Sequence, residues 1–311
     1  MDMGDKNPNL SRRKVMKSGT ALAATPLLVT GSAGATQRDR KRFRAHAEQS
    51  FRIEEQHGTD AMIDFMRDKG YAAASRGAEF EFEKDDGAST EEIDDPEGAG
   101  FDLSVSGYYD SWTGEYQISL GGQFYLDVNL ETWDYDCVVT SYYSYGSNPN
   151  DGAGLRWNTT HDEYWEPVGD DSASDFVYTY GEFEWDDGSY DPDGGNGYRV
   201  DDWQASNNWV AEEGCKDGNI GRHSEYVYLG RGGVYLEPVG NHDSSDREVW
   251  GAYTHAWSAD TTDLGLSIGY PPGVSLSLTP SSEVEQEDTQ TEKDGDTFLK
   301  IAQDEVVTNC C

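Results

Sequence analysis

The run Tyr190-Asp191-Pro192-Asp193-Gly194-Gly195-Asn196-Gly197 has the composition of a cation loop. Asp191, Asp193 and Asn196, joined by Asp201 or Asp202, offer oxygen donors, and Ca²⁺ takes roughly six to eight of these. The spacing departs from an EF-hand loop: counted from Asp191, the sixth position is Asn196 instead of Gly and the twelfth is Asp202 instead of Glu. A chain with 60 Asp and Glu also makes such clusters by chance, so calcium is allowed, not demanded, and no other cofactor is implied.

A second cluster is aromatic. Tyr142, Tyr143, Tyr145, Trp157, Tyr164 and Trp165 would make a platform for a sugar ring, with acid and amide neighbours as hydrogen-bond partners. The same residue types form core and cross-strand pairs in sheets, which is their commoner role. Asn158-Thr159-Thr160 is a glycosylation sequon and predicts a surface loop at Asn158. Four cysteines remain: Cys137, Cys215, Cys310 and Cys311. A Cys137–Cys215 bond would close a loop worth roughly 4 kcal/mol in the chain-entropy picture. Two buried free thiols are the alternative, and the terminal Cys310-Cys311 pair suits exposed reactive thiols or a cross-link to a partner.

Catalytic signatures are missing. The six histidines (His46, His57, His161, His223, His242, His255) form no His-Glu-x-x-His motif and no zinc spacing. Gly-x-Ser-x-Gly is absent. A Ser-His-Asp triad or a glycosidase-type carboxylate pair is assembled from distant positions, so neither can be assigned to particular residues.

Candidate strands with a period of two fill the middle of the chain and would have to position these groups. Asp102–Ser106 alternates, and residues 115–120 and 123–130 around Gly121-Gly122 predict a hairpin. Further strands are predicted at 137–145, 175–185, 198–203, 225–229, 233–239, 249–257, 264–270 and 274–278. All nine Trp lie between Trp112 and Trp257, which places the core domain at about 101–280. Many short alternating strands separated by Gly, Asp, Asn and Pro turns predict an all-β sandwich, jelly-roll-like or Ig-like. Upstream, residues 36–75 read as a helical segment, either packed on the domain or a propeptide. Thr59 or Asp60 can cap a helix whose apolar stripe is Met62, Ile63, Phe65 and Met66, and Gly70 suits its C-terminus. Residues 76–100 read as an acidic linker, and 281–311 as a mobile acidic tail with a short strand or helix at 297–302.

The N-terminus carries an address. Ser11-Arg12-Arg13-Lys14-Val15-Met16-Lys17, a weakly apolar stretch to Thr30, and the small residues Ser32-Ala33-Gly34-Ala35 together read as an export signal over residues 1–35. Paired Arg12 and Arg13 point to the twin-arginine translocation machinery as a partner. No Cys follows the apolar stretch and no apolar C-terminal tail is present, so a released or loosely surface-associated extracellular protein is expected. No apolar run reaches the roughly 20 residues of a transmembrane segment.

Charge completes the reading. The 311 residues carry a net charge of −37, and because residues 1–44 hold ten Lys or Arg against three Asp or Glu, the remainder carries −44. A field this negative repels nucleic acid. In molar salt the Debye length falls to about 3 Å and self-repulsion is screened, a balance halophiles use. A salt-requiring fold is expected.

A twin-arginine signal ahead of an acidic, Lys-poor, Tyr- and Trp-rich chain resembles the exported proteins of haloarchaea. Residues 101–277, with Asn148-Pro149-Asn150-Asp151-Gly152-Ala153-Gly154-Leu155-Arg156-Trp157 and Gly251-Ala252-Tyr253-Thr254-His255-Ala256-Trp257-Ser258, resemble β-rich members of that group whose function is generally unassigned. The resemblance implies export and a life in brine, and carries no catalytic motif. Three functions follow as expectations: a non-catalytic extracellular or envelope-binding protein with a glycan or envelope ligand, a secreted salt-requiring hydrolase of polysaccharide or protein, and a precursor of a halocin-type antimicrobial peptide.

Overall fold

The computed structural model describes residues 37–81, 99–126, 151–159, 161–168, 175–191, 194–202, 204–205, 226–257, 264–269, 273–278, 285–288 and 299–308. Two antiparallel sheets face each other. One holds β1 (Ala72–Glu81), β2 (Ala99–Tyr109), β3 (Tyr116–Leu126) and β9 (Tyr226–Pro238) in that order, with β5 (Trp165–Pro167) and β6 (Val177–Gly181) both on the far edge of β9. The other runs β10 (Glu248–Trp257), β4 (Asp151–Arg156), β8 (Gly195–Val200), β7 (Phe183–Asp191), with β13 (Glu285–Asp288) and β14 (Leu299–Ala302) on the outer edge of β10. β11 (Leu264–Gly269) and β12 (Gly273–Leu278) form a separate hairpin. The all-β sandwich expected from the strand pattern is present.

The period of two explains the layering. On β2, Phe101 and Val105 point into the sandwich, where Phe101 meets Tyr253 of β10 with ring centroids 4.5 Å apart. The intervening Ser104, Ser106 and Tyr108 point the other way, toward helix α1 (Gln37–His57). Glycine lets the two sheets close: a methyl on Gly251 would lie 2.6 Å from Val105 Cγ2. The molecule is therefore three layers deep, with α1 covering the outer face of the first sheet.

Gly121 and Gly122 do not turn the chain. β3 runs straight through them, because β2 and β9 press against it from both sides. A methyl on Gly122 would sit 1.9 Å from Asp102 O, and one on Gly121 would sit 2.1 Å from Gly230 O. The predicted hairpin at this point is thus replaced by one long central strand. The same lesson applies to β9, which joins the two segments predicted at 225–229 and 233–239. Gly230, at φ +112°, and a register shift against Gly122 and Gln123 absorb the irregularity. Conversely, the single run predicted at 175–185 divides into β6 and β7 at Gly181, where φ is +69°.

The N-terminal segment is helical to Asp68 and then joins the sheet. α2 (Thr59–Asp68) buries Met62, Ile63 and Met66 and ends before Gly70, whose φ of +87° is the left-handed terminator foreseen. Its N-cap is Gly58; Thr59 instead donates its hydroxyl to Glu54 Oε1 at 2.7 Å. Residues 72–81, expected at the end of the helical segment and in the linker, are β1, because Ala72 to Glu81 find a continuous antiparallel partner in β2. The tail corrects a further expectation. β14 pairs with Glu248–Gly251, and α3 (Gln303–Thr308) buries Val306 against Gly107, so residues 299–308 are packed instead of mobile. Apolar Leu299, Ile301 and Val306, spaced within an otherwise acidic stretch, supply the burial that fixes them.

Candidate functional site

Helix α1 lies over a face of the first sheet that is unusually polar for a buried surface. Arg231 of β9 is fully buried and reaches Glu54 of α1 with Nε 2.5 Å from Oε2 and Nη2 2.7 Å from Oε1. Tyr228 donates its hydroxyl to Glu54 Oε2 at 3.0 Å, and Arg231 also donates to Ser119 Oγ at 3.2 Å and to Ser104 Oγ. A paired, fork-to-fork arginine and carboxylate is the geometry that tolerates burial. Burial alone would push the Glu54 carboxyl up, yet the charge and hydrogen bonds of Arg231 outweigh it and hold it below its ordinary value. Nearby, Ser50 and Tyr108 share a hydrogen bond at 3.0 Å, and Phe51 stacks on Tyr178 at 5.5 Å and 7°. This network is closed and holds α1 in register on the sheet.

A second buried group lies at one end of the other sheet. Asp151, Asp202 and Tyr253 are all buried, and Tyr253 donates its hydroxyl to Asp151 Oδ2. Burial and the charges of both carboxylates hold the Tyr253 phenol far above its ordinary range, so it acts as a donor. Chain order hides this trio: Asp151 and Tyr253 are 102 residues apart, and only the β4–β10 pairing brings them together.

The third feature is exposed. Between β2 and β3 the chain turns through Asp110–Glu115, and Trp112 stands 71 % exposed at its tip. The turn is stiffly held. Trp112 N donates to Asp110 Oδ1 at 3.0 Å, Thr113 Oγ1 to Asp110 Oδ2 at 3.2 Å, Gly114 N to Asp110 O at 2.8 Å, and Asp110 N to Glu115 O at 3.1 Å. Gly114 supplies the positive φ of +78°. Among the described residues, Trp112 and Val307 are the large apolar side chains that stand clear of the surface. The cationic end of α1 is adjacent: Arg40 Nε lies 2.8 Å from Glu115 Oε1, which closes the same turn.

The residues singled out by sequence are distributed as follows. Asp191 pairs with Arg156 at 2.9 Å, and Asn196 accepts from Trp185 Nε1 at 2.8 Å. Both lie at the β7–β8 turn end, whereas Asp202 lies beyond the opposite end of β8, beside Asp151. Asp193 lies outside the described residues. Among the described residues no three His, Cys, Asp or Glu side chains converge as a metal site would require. Trp157 and Trp165 are core residues; Trp165 meets the Tyr116 ring edge-on at 5.0 Å. Tyr164 is half-buried against His242, with centroids 4.7 Å apart. Tyr142, Tyr143 and Tyr145 lie outside the described residues, as do Cys137, Cys215, Cys310, Cys311, Arg12 and Arg13.

Asn158 lies in the loop between β4 and β5, in which His161, Asp162 and Glu163 are exposed, but it faces inward. Its side chain is buried; Oδ1 accepts from Tyr164 N at 2.8 Å and Trp165 N at 2.9 Å, while Nδ2 donates to Trp165 O at 2.9 Å. The nitrogen that would carry a glycan is enclosed and engaged, so the sequon is a structural knot in this folded form. Neither Trp112 nor the Glu54–Arg231 pair was foreseen. The Asp110-Ser111-Trp112-Thr113-Gly114 pattern, an Asx turn with a glycine, was a signal available for the first. None existed for the second.

No family model matches the chain, and no curated protein matches it. No helix among the described residues is long and apolar enough to cross a membrane.

Proposed function

We propose that the chain is an exported, salt-adapted β-sandwich protein that acts outside the cell by binding an envelope or external ligand. The twin-arginine run at Arg12 and Arg13, the small-residue site ending at Ala35 and the acidic composition support the location. One observation of geometry carries the binding reading: a stiff, hydrogen-bonded turn holds Trp112 out in solvent. Trp is among the residues enriched as binding anchors, and a ring carried on a hydrogen-bonded turn has less freedom to lose on contact.

Binding of the full chain to isolated cell envelopes, measured in molar salt by co-sedimentation, tests this. Trp112→Ala is expected to reduce capture by about tenfold, as loss of an aromatic anchor does. Unchanged capture by that variant would remove the observation on which the reading stands.

The alternative is a secreted hydrolase. Asp151 and Asp202, whose charges both bear on the Tyr253 phenol, are its candidate acids, as a pair of acids is what glycoside hydrolysis uses, and a substrate would have to open the fold to reach them. Sugar released from a polysaccharide panel in molar salt, and lost in Asp202→Asn, would replace the binding reading.

A further inference from the structure

We infer that the Trp112 turn and the cationic end of α1 form one docking surface for an acidic polysaccharide, bearing uronate or sulfate groups. The inference rests on the binding reading above and names the chemistry of the partner.

The chain as a whole repels polyanions, with a net charge of −37, but its cations are not evenly placed. Arg38, Lys41 and Arg42 are exposed on one face of α1, at the spacing of three and four that aligns side chains on a helix, and Arg42 also lies 3.7 Å from Asp39, so Arg38 and Lys41 carry most of the open charge. Arg40, beside them, is half exposed and bridges to Glu115 at the foot of the Trp112 turn. Asp110, which anchors that turn, follows Tyr109 of β2, the partner of Ala72 in β1, and Arg42 hydrogen-bonds Tyr71, the residue before Ala72. A flat aromatic ring and a set of cations therefore flank each other on one end of the molecule.

Two classes of anionic partner fit a basic, aromatic patch. A bilayer draws on buried apolar area and on attraction that fades within a Debye length. Here a single ring sits between Ser111 and Thr113, and the molecule's own charge opposes a long-range approach. A sugar acid needs only contact interactions: a pyranose face on the indole, and guanidinium forks on carboxylate or sulfate. Molar salt weakens the charged part of such contacts, but stacking and hydrogen bonds act within the Debye length of about 3 Å and depend on salt least.

Retention of the full chain on immobilised alginate, chondroitin sulfate and dextran in molar salt tests the inference, alongside co-sedimentation with phosphatidylglycerol vesicles and with isolated envelopes. The expected result is retention on the two acidic polymers and not on dextran. Trp112→Ala, and separately the triple variant Arg38→Gln, Lys41→Gln, Arg42→Gln, should each weaken it by about tenfold with unchanged circular dichroism. All four side chains are exposed, and the unchanged circular dichroism separates lost retention from lost folding. Equal retention on dextran, wild-type retention by both variants, or capture by vesicles alone overturns the inference. Capture by envelopes but by neither acidic polymer overturns it while the broader binding reading stands; capture by none of these surfaces overturns both.

Discussion

Glu54 and Glu115 hang over the same face of one sheet and answer to pH in opposite directions. Glu54 is paired with buried Arg231 and held below its ordinary value of 4.5, so its contribution is present above that value and is lost as the pH falls through the lowered one. Glu115 is pushed up by burial, which Arg40 and Arg44 offset only in part. The fold thus favours its protonated form, and that contribution is full below 4.5 and lost as the pH rises through the raised value. Two substitutions separate them. Glu54→Gln should cost about 3–5 kcal/mol at neutral pH, because it leaves Arg231 buried without a counter-charge. Glu115→Gln should be neutral or stabilising there, since Arg40 is 43 % exposed and can be solvated instead. Denaturant midpoints of both variants, taken in high salt at pH 7, check this pair of signs.

Close strand approach explains where glycine pattern and structure part company. A Gly-Gly pair between alternating residues is an ordinary hairpin signal. At Gly121-Gly122 the glycines instead allow β2, β3 and β9 to crowd together, and a methyl has nowhere to go against Asp102 O. Gly122→Ala should destabilise by about 1–3 kcal/mol, the range for overpacking, visible as a lower melting temperature. The helical segment was legible because Met62, Ile63 and Met66 fall on one face and Gly70 ends the run. Residues 299–308 were largely not, because Leu299, Ile301 and Val306 have no meaning until β10 and β2 are there to receive them. Truncation after Asp288 should accordingly lower the melting temperature, whereas a free tail would leave it unchanged.

At the scale of the whole molecule, cations are spent inside. Arg156, Arg231 and Arg247 are buried, and Arg247 donates to the carbonyl oxygens of Val239, Gly240 and His242. Among the described residues the buried acids Glu54, Asp110, Glu115, Asp151 and Asp202 outnumber these arginines, so the negative excess at the surface comes from the composition and not from the burial of cations. Self-repulsion of this kind is screened only at short Debye lengths. We expect circular dichroism and thermal melts to show cooperative folding in molar NaCl and progressive loss of structure on dialysis into dilute buffer. Full structure without added salt would contradict the salt-adapted reading.

Periodicity, composition and turn residues by themselves determined the all-β class, the helical segment before it and the acidic balance. Each is a local property, written in neighbouring residues or in a sum over the chain. Tertiary structure alone decided that Trp157, Trp165 and Asn158 are interior while Trp112 is exposed, that Arg231 meets Glu54 across 177 residues, and that Asp202 joins Asp151 instead of Asp191. The physical reason is that burial and charge pairing depend on which strands become neighbours, and in an antiparallel sandwich those neighbours lie far apart along the chain.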